Sequence, residues 1–158
     1  MLLEQAVATT AELFRERQCR LTLDMPAQVP PLFADADRLT QVLLNLLSNA
    51  AKFVPVPGGQ VHLRVRCNAD DLTVEVHDNG PGVPAAQQAL IFEKFRQGGD
   101  AANRPQGTGL GLPISRQIIE HFGGRLWLEP ASDGAHFCFF LPWRQAEAAT
   151  APNEGDTP

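Results

Sequence analysis

Apolar residues recur along this chain with two periods, one helical and one extended, and the switches between them predict its elements. Leu3, Val7, Ala11 and Phe14 recur at intervals of three and four, which predicts a helix over residues 2–18 with those four on its buried face. Arg20 to Asp24 reads as a short strand, and Pro26, Pro30 and Pro31 then break the chain. A second helix is expected from about residue 36 to Phe53, with Asp35 as its N-cap and Pro55 and Pro57 ending it. Its core arc is Leu39, Val42, Leu43, Leu46, Leu47 and Ala50.

The period then drops to two. Val61, Leu63, Val65 and Cys67 alternate with His62, Arg64 and Arg66, and Leu72, Val74 and Val76 alternate with Thr73, Glu75 and His77. Asn68 to Asp71 supplies a turn, so the pair is predicted to be an antiparallel hairpin. From Asp78 to Gly111 the chain is rich in glycine and loop formers, with a short helix expected near Ala85 to Phe95. A further helix from about Leu112 to Phe122 ends at Gly123-Gly124, and strands follow over Arg125–Glu129 and His136–Leu141. Residues 145–158 show no apolar period and are expected to form a disordered tail. The expected class is α+β: about five strands in a mixed, mostly antiparallel sheet, with about three helices layered on one face.

At 158 residues the chain suits one domain, and 44% hydrophobic with 20% charged residues is a globular composition. A net charge of -5 argues against a general nucleic-acid-binding surface, although a local basic pocket could still hold a poly-anion beside a metal cation. Cys19, Cys67 and Cys138 are too few and too scattered for a disulfide framework or a zinc site, which points to reduced thiols in a reducing compartment. No apolar run approaches the roughly 20 residues that span a bilayer. Glu4, Glu12, Arg15, Glu16 and Arg17 interrupt any leader-like stretch. A soluble, cytoplasmic domain without direct membrane contact is expected, whatever anchors a longer parent protein.

Three segments carry candidate chemistry. On the second helix Gln41, Asn45, Asn49 and Lys52 form one narrow polar stripe away from the core arc. A solvated face accounts for that stripe as well as a ligand-facing one does. Mid-helix asparagines are mediocre helix formers, however, and an amide oxygen suits a hard cation while a lysine suits phosphate. Asp78-Asn79-Gly80-Pro81-Gly82 follows a strand directly. It reads as an ordinary turn, or as an acceptor for an exocyclic amine such as that of adenine, with glycines admitting the ligand closely. Gly107-Thr108-Gly109-Leu110-Gly111-Leu112 opens a helix and reads as a phosphate cradle or a plain hinge. Its spacing and surroundings fit neither a Rossmann turn nor a Walker A loop. Between these, Phe92-Glu93-Lys94-Phe95-Arg96 anchors a polar stretch carrying Arg104, either a surface loop or a lid over nucleotide.

Taken in order, these segments resemble the boxes of the sensor histidine kinases. Asn-Leu-Leu-Ser-Asn-Ala-Ala-Lys-Phe from Asn45 is similar to their N box, and Asp78-Asn-Gly-Pro-Gly to their G1 box. Ile91-Phe-Glu-Lys-Phe resembles the F box and Gly107-Thr-Gly-Leu-Gly-Leu the G2 box. The likeness covers residues 1–144 and implies the Bergerat ATP-binding fold of their catalytic domain. It implies that Asn49 holds Mg²⁺ with Asn45 beside it, that Lys52 meets phosphate, and that Phe53 lies near the base. It further implies that Asp78 binds the adenine amine, that Gly80 and Gly82 shape the pocket, and that Gly107, Thr108, Gly109, Leu110 and Gly111 admit the phosphates of ATP. Phe92, Phe95 and Arg104 would belong to the lid. The implied partners are a dimeric helical domain bearing the phosphoacceptor histidine and the receiver domain of a response regulator.

The chain departs from that pattern at Pro105-Gln106, at Pro113, and in its histidines. His62, His77, His121 and His136 do not sit in a phosphoacceptor context, and they read as surface or helix-cap residues. The acceptor therefore belongs to another segment. Two other readings stay open: a gyrase, mismatch-repair or chaperone type of ATPase on the same fold, or a degenerate module that binds nucleotide without transferring phosphate.

Overall fold

A computed structural model of the chain describes residues 2–30, 35–93, 111–130 and 133–143. Three helices, α1 (Leu2–Glu16), α2 (Ala36–Phe53) and α3 (Gly111–His121), accompany five strands. The strands are β1 (Cys19–Asp24), β2 (Gly59–Cys67), β3 (Asp71–Asp78), β4 (Arg125–Glu129) and β5 (His136–Pro142). They form one sheet in the order β1-β2-β3-β5-β4. Only β1 and β2 run parallel, with Cys19 opposite Gly59; every other pair is antiparallel. The last strand is therefore interior, with Val76 facing Phe137 on one side and Leu126 facing Phe139 on the other.

Alternation along the strands sorts side chains onto two faces. Val61, Leu63, Val65, Leu72, Val74, Val76, Phe137, Phe139 and Leu141 are buried against α1, α2 and α3 in one apolar cluster. Burying each of these side chains contributes about 1.5–3 kcal/mol. The odd-phase neighbours, among them Arg64, Arg66, Glu75, His77, His136 and Phe140, occupy the opposite face and are exposed or half-buried. The two-layer α+β arrangement expected from the sequence is the one observed.

Local signals explain most element ends. The Asp35 carboxylate accepts the N–H groups of Asp37 (2.9 Å) and Arg38 (3.3 Å), capping α2 as its position suggested. At the other end of α2, Arg17 donates from Nε to the Ala51 carbonyl and from one terminal nitrogen to the Lys52 carbonyl, both at 2.8 Å. These are carbonyls that a helix terminus leaves without intrahelical partners. Gln18, at φ 54°, turns the chain tightly from α1 into β1 beside this cap.

Two expectations are corrected. The buried stripe of α1 is Leu3, Ala6, Thr10 and Phe14, while Ala11 is exposed. Thr10 can be buried because its hydroxyl donates to the Ala6 carbonyl at 3.0 Å, leaving its methyl to pack. The helix expected near Ala85–Phe95 is instead two 3₁₀ turns, Ala85–Gln87 and Leu90–Phe92, of which only Ile91 is buried. One buried side chain is too little apolar contact to hold three α-helical turns. The expected tail over 145–158 lies outside the described residues. No helix among the described residues is long and apolar enough to cross a membrane.

Candidate functional site

The site gathers around the end of β3, where Asp78 is a buried carboxylate at 4% exposure. Its Oδ1 accepts the N–H of Gly80 at 2.9 Å and that of Ala135 at 3.1 Å. The Asp78 N–H in turn donates to the Ala135 carbonyl at 3.0 Å. Both donors therefore fall on one oxygen, and Oδ2 has no donor among the described residues. Burial pushes the Asp78 carboxyl above the usual carboxylate range. The Gly80 and Ala135 amides and His77 pull it back, and Asp133 adds to the rise. An acid built this way is rigid and oriented, with one lone-pair face still to satisfy.

The surrounding backbone is packed too tightly for side chains. A Cβ on Gly80 would lie 2.7 Å from the Phe53 carbonyl oxygen. Gly134, at φ +66°, lies so close to β3 that a Cβ would overlap the Asp78 carbonyl oxygen. The Gly80 contact is where the first and second sequence motifs meet: Phe53 ends α2, and Gly80 leaves β3. Phe53 itself is 41% exposed, an unusual state for a phenylalanine at the end of a core helix.

Along α2 the polar stripe grades from exposed Gln41 to half-buried Asn45, Asn49 and Lys52. Asn45 donates from Nδ2 to the Gly111 carbonyl at 3.2 Å and to Ser115 Oγ at 3.0 Å. It thus clamps α2 onto the first turn of α3, and any ion contact from this residue would fall to its Oδ1. Ser115 is fully buried, and Asn45 satisfies its hydroxyl. The Asn49 amide makes no hydrogen bond to the described residues. Burial lowers the Lys52 ammonium from its ordinary value, and the C-terminal end of the α2 dipole favours a cation there.

Phe92 packs its ring edge-on to Phe137 at 6.2 Å, with the Arg116 guanidinium 5.1 Å above it, which makes it an anchor for the segment that follows. Gly82, at φ +80°, packs against the Gly134 carbonyl. Phe95, Arg104, Gly107, Thr108, Gly109 and Leu110 lie outside the described residues, while Gly111 is the first residue of α3. The structure thus joins Asp78, Gly80, Gly82 and Phe53 at the sheet end, and Asn45 to Gly111 across the helices.

Sequence reasoning missed Arg17, Ser115, Gly134 and Ala135. Asp133-Gly134 is a visible turn signal, but nothing in the sequence says that the turn closes over an aspartate 57 residues away. Ser115 follows Gly111 by one helical turn, and only the pairing of the helices shows that Asn45 spans both.

Comparison with known proteins gives a consistent picture. The family described as "Histidine kinase-, DNA gyrase B-, and HSP90-like ATPase" matches residues 34–145. The adaptive-response sensory kinase SasA of Synechococcus elongatus is 35% identical over 144 residues, covering 89% of this chain and 36% of that protein. The chain therefore spans about a third of that relative's length. The catalytic domain of histidine kinase ThkA superposes with a TM-score of 0.80 at 29% identity, covering 90% of each chain. Full-length ShkA, solved in complex with AMPPNP, gives a TM-score of 0.77 at 31% identity over 90% of this chain and 29% of its own. ThkA in complex with response regulator protein TrrA gives 0.73 at 27% identity, over 92% of this chain and 40% of that one.

Proposed function

The chain belongs to the histidine kinase-, DNA gyrase B- and HSP90-like ATPase family, and from that premise we propose that it is the ATP-binding catalytic domain of a sensor histidine kinase. In this reading it binds Mg·ATP and donates the γ-phosphate to a histidine on a separate dimeric helical domain. A response-regulator receiver then takes the phosphate. That the solved relatives include one with AMPPNP and one with a response regulator supports this reading.

The observation that carries it is the geometry of Asp78. With Oδ1 held by two backbone amides, Oδ2 is a fixed acceptor for the exocyclic amine of adenine. GTP, which has a carbonyl oxygen in place of that amine, would set two acceptors face to face. Gly80 and Gly82 let the base approach the backbone, and exposed Phe53 offers it an apolar surface. The phosphates would then run toward the N-terminus of α3, where backbone N–H groups and the helix dipole favour anions. Lys52 would meet a phosphate oxygen, and Asn45 keeps α2 and α3 in register so that both ends of the nucleotide are held at once.

The residues present fit a hard cation: the Asn49 amide is half-buried on the ligand-facing stripe, with no hydrogen bond to the described residues, and its Oδ1 is the right donor for Mg²⁺. When bound, that ion would offset phosphate charge. The work of this chain is positioning and charge neutralisation, because its own histidines sit elsewhere: two on strands β2 and β3, one at the end of α3 and one at the start of β5.

Calorimetric titration with a non-hydrolysable ATP analogue, with and without Mg²⁺, tests this. Saturable binding should fall about 100-fold or more in Asp78→Ala, and Asn49→Asp, which sets a negative charge beside the phosphates, should weaken Mg²⁺-dependent binding. With ATP in place of the analogue, adding a helical phosphoacceptor domain in trans should then yield phosphohistidine and ADP. Unchanged affinity in both variants would sink the proposal. Steady ATP hydrolysis by the domain without an acceptor would move it to the gyrase-like reading.

A further inference from the structure

The open face of the sheet, away from the nucleotide site, brings together three metal-ligating side chains. Glu75 lies directly opposite Cys138 across the β3–β5 ladder, and His136 precedes Cys138 by two residues on the same face. Their ligand atoms all lie within 4.8 Å of one another. His136 Nε2 is 2.9 Å from Glu75 Oε1, while Glu75 Oε2 faces Arg66 Nε at 3.4 Å. Arg66 thus holds one carboxylate oxygen and turns the other toward the histidine. His77 stacks on the His136 ring with centroids 4.7 Å apart and fixes its plane. On the far side Trp127 is paired opposite Cys138, a residue only 3% exposed.

We propose that Glu75, His136 and Cys138 form a binding site for a single Zn²⁺-type transition-metal ion, independent of nucleotide. One carboxylate oxygen, one imidazole nitrogen and one sulfur are the mixed donor set that a borderline-soft divalent ion accepts, and three protein ligands leave one tetrahedral position for a further donor. Arg66 and His77 orient those ligands from behind, as partners of metal ligands do. On binding, the ion displaces the Cys138 thiol proton to solvent, so the thiolate and the Glu75 carboxylate offset its two positive charges while Arg66 stays paired with the second Glu75 oxygen. A scan of the sequence does not reveal the site, because two ligands are two residues apart and the third comes from a strand about 60 residues earlier.

Co²⁺ is the probe, added to the nucleotide-free, chelator-treated chain. One equivalent should bind with a thiolate-to-cobalt charge-transfer band in the near ultraviolet, and Zn²⁺ should displace it. Cys138→Ser should abolish the band, and Cys67→Ser should leave it intact. Glu75→Gln and His136→Gln should each weaken affinity about 10-fold or more. Asp78→Ala should bind cobalt like the parent chain, which separates this site from the nucleotide site. Absence of the band in folded parent protein, or its survival in Cys138→Ser, overturns the proposal. Should Cys138→Ser fail to fold, unchanged cobalt affinity in both Glu75→Gln and His136→Gln overturns it equally.

Discussion

The two faces of the sheet are built from the same strands and differ by a step of one residue. On the covered face the buried polar side chains are few, and each is held by a specific bond. Thr10 bonds its own helix, Ser115 bonds Asn45, and Asp78 takes two backbone amides on one oxygen. On the open face polar groups are plentiful and pair across strands, as Arg64 does with Asp24 and His136 with Glu75. Water can replace such pairs when they break, so they contribute little individually. A polar group that the core will not exchange for water is therefore either a clamp or half of an unfinished ligand contact, and the proposed adenine contact would make Asp78 the second kind.

The sharpest way to break that contrast is to compare adjacent phenylalanines. Phe139→Ala, on the covered face, should cost about 3–5 kcal/mol of unfolding free energy, and Phe140→Ala, on the open face, less than about 2. Urea midpoints at constant slope measure both; equal losses would show that the open face is also core. Arg17→Ala comes next. It uncaps α2 and should cost about 1–3 kcal/mol. It should also weaken nucleotide affinity through Lys52 and Phe53, and Arg17→Lys should recover only part of either effect because one ammonium cannot span both carbonyls. Loss of stability with unchanged affinity would confine Arg17 to the scaffold.

The smallest expected effect is a gain. In Asp78→Asn the amide oxygen can keep both backbone bonds while the buried charge is removed. The folded-state carboxyl of Asp78 is raised, so ionised Asp78 costs stability at neutral pH, and that cost disappears as pH falls through its raised pKa to the ordinary carboxylate range. The variant should therefore melt at a higher temperature than the parent at pH 7. The advantage should vanish on acidification while nucleotide binding is lost. A variant less stable than the parent at neutral pH would mean that the charge itself holds the Ala135 turn.

Much of this architecture was legible because it rests on local rules. The Asp35 cap, the α2 core arc, the β2–β3 hairpin and the Gly123-Gly124 stop each depend on residues within a turn of one another. Asp78, Gly80 and the asparagine stripe were visible as motifs for the same reason. What stayed hidden depends on partners distant in sequence. A threonine looks polar until its hydroxyl is seen bonding one turn back, which moved the α1 stripe from Ala11 to Thr10. The Asn45 clamp, the Arg17 cap and the Ala135 amide need the helices and strands already placed. Phe92 could be read as an anchor, but its contacts with Phe137 and Arg116 could not.

The interior position of β5 has a consequence in time. A nascent chain emerges from the ribosome at about 5–20 residues per second, and β5 is among the last parts of this sequence to appear. Until it does, β3 has an unpaired edge, β4 has no neighbour in the sheet, and Asp78 lacks the Ala135 amide. The N-terminal half can form α2 and the β2–β3 hairpin during synthesis, yet the pocket closes only when the final strand slots into the gap left for it. On the proposed reading, competence to bind nucleotide marks a domain synthesised through β5, and a chain stopped before residue 135 has the motifs without the Ala135 amide that holds Asp78.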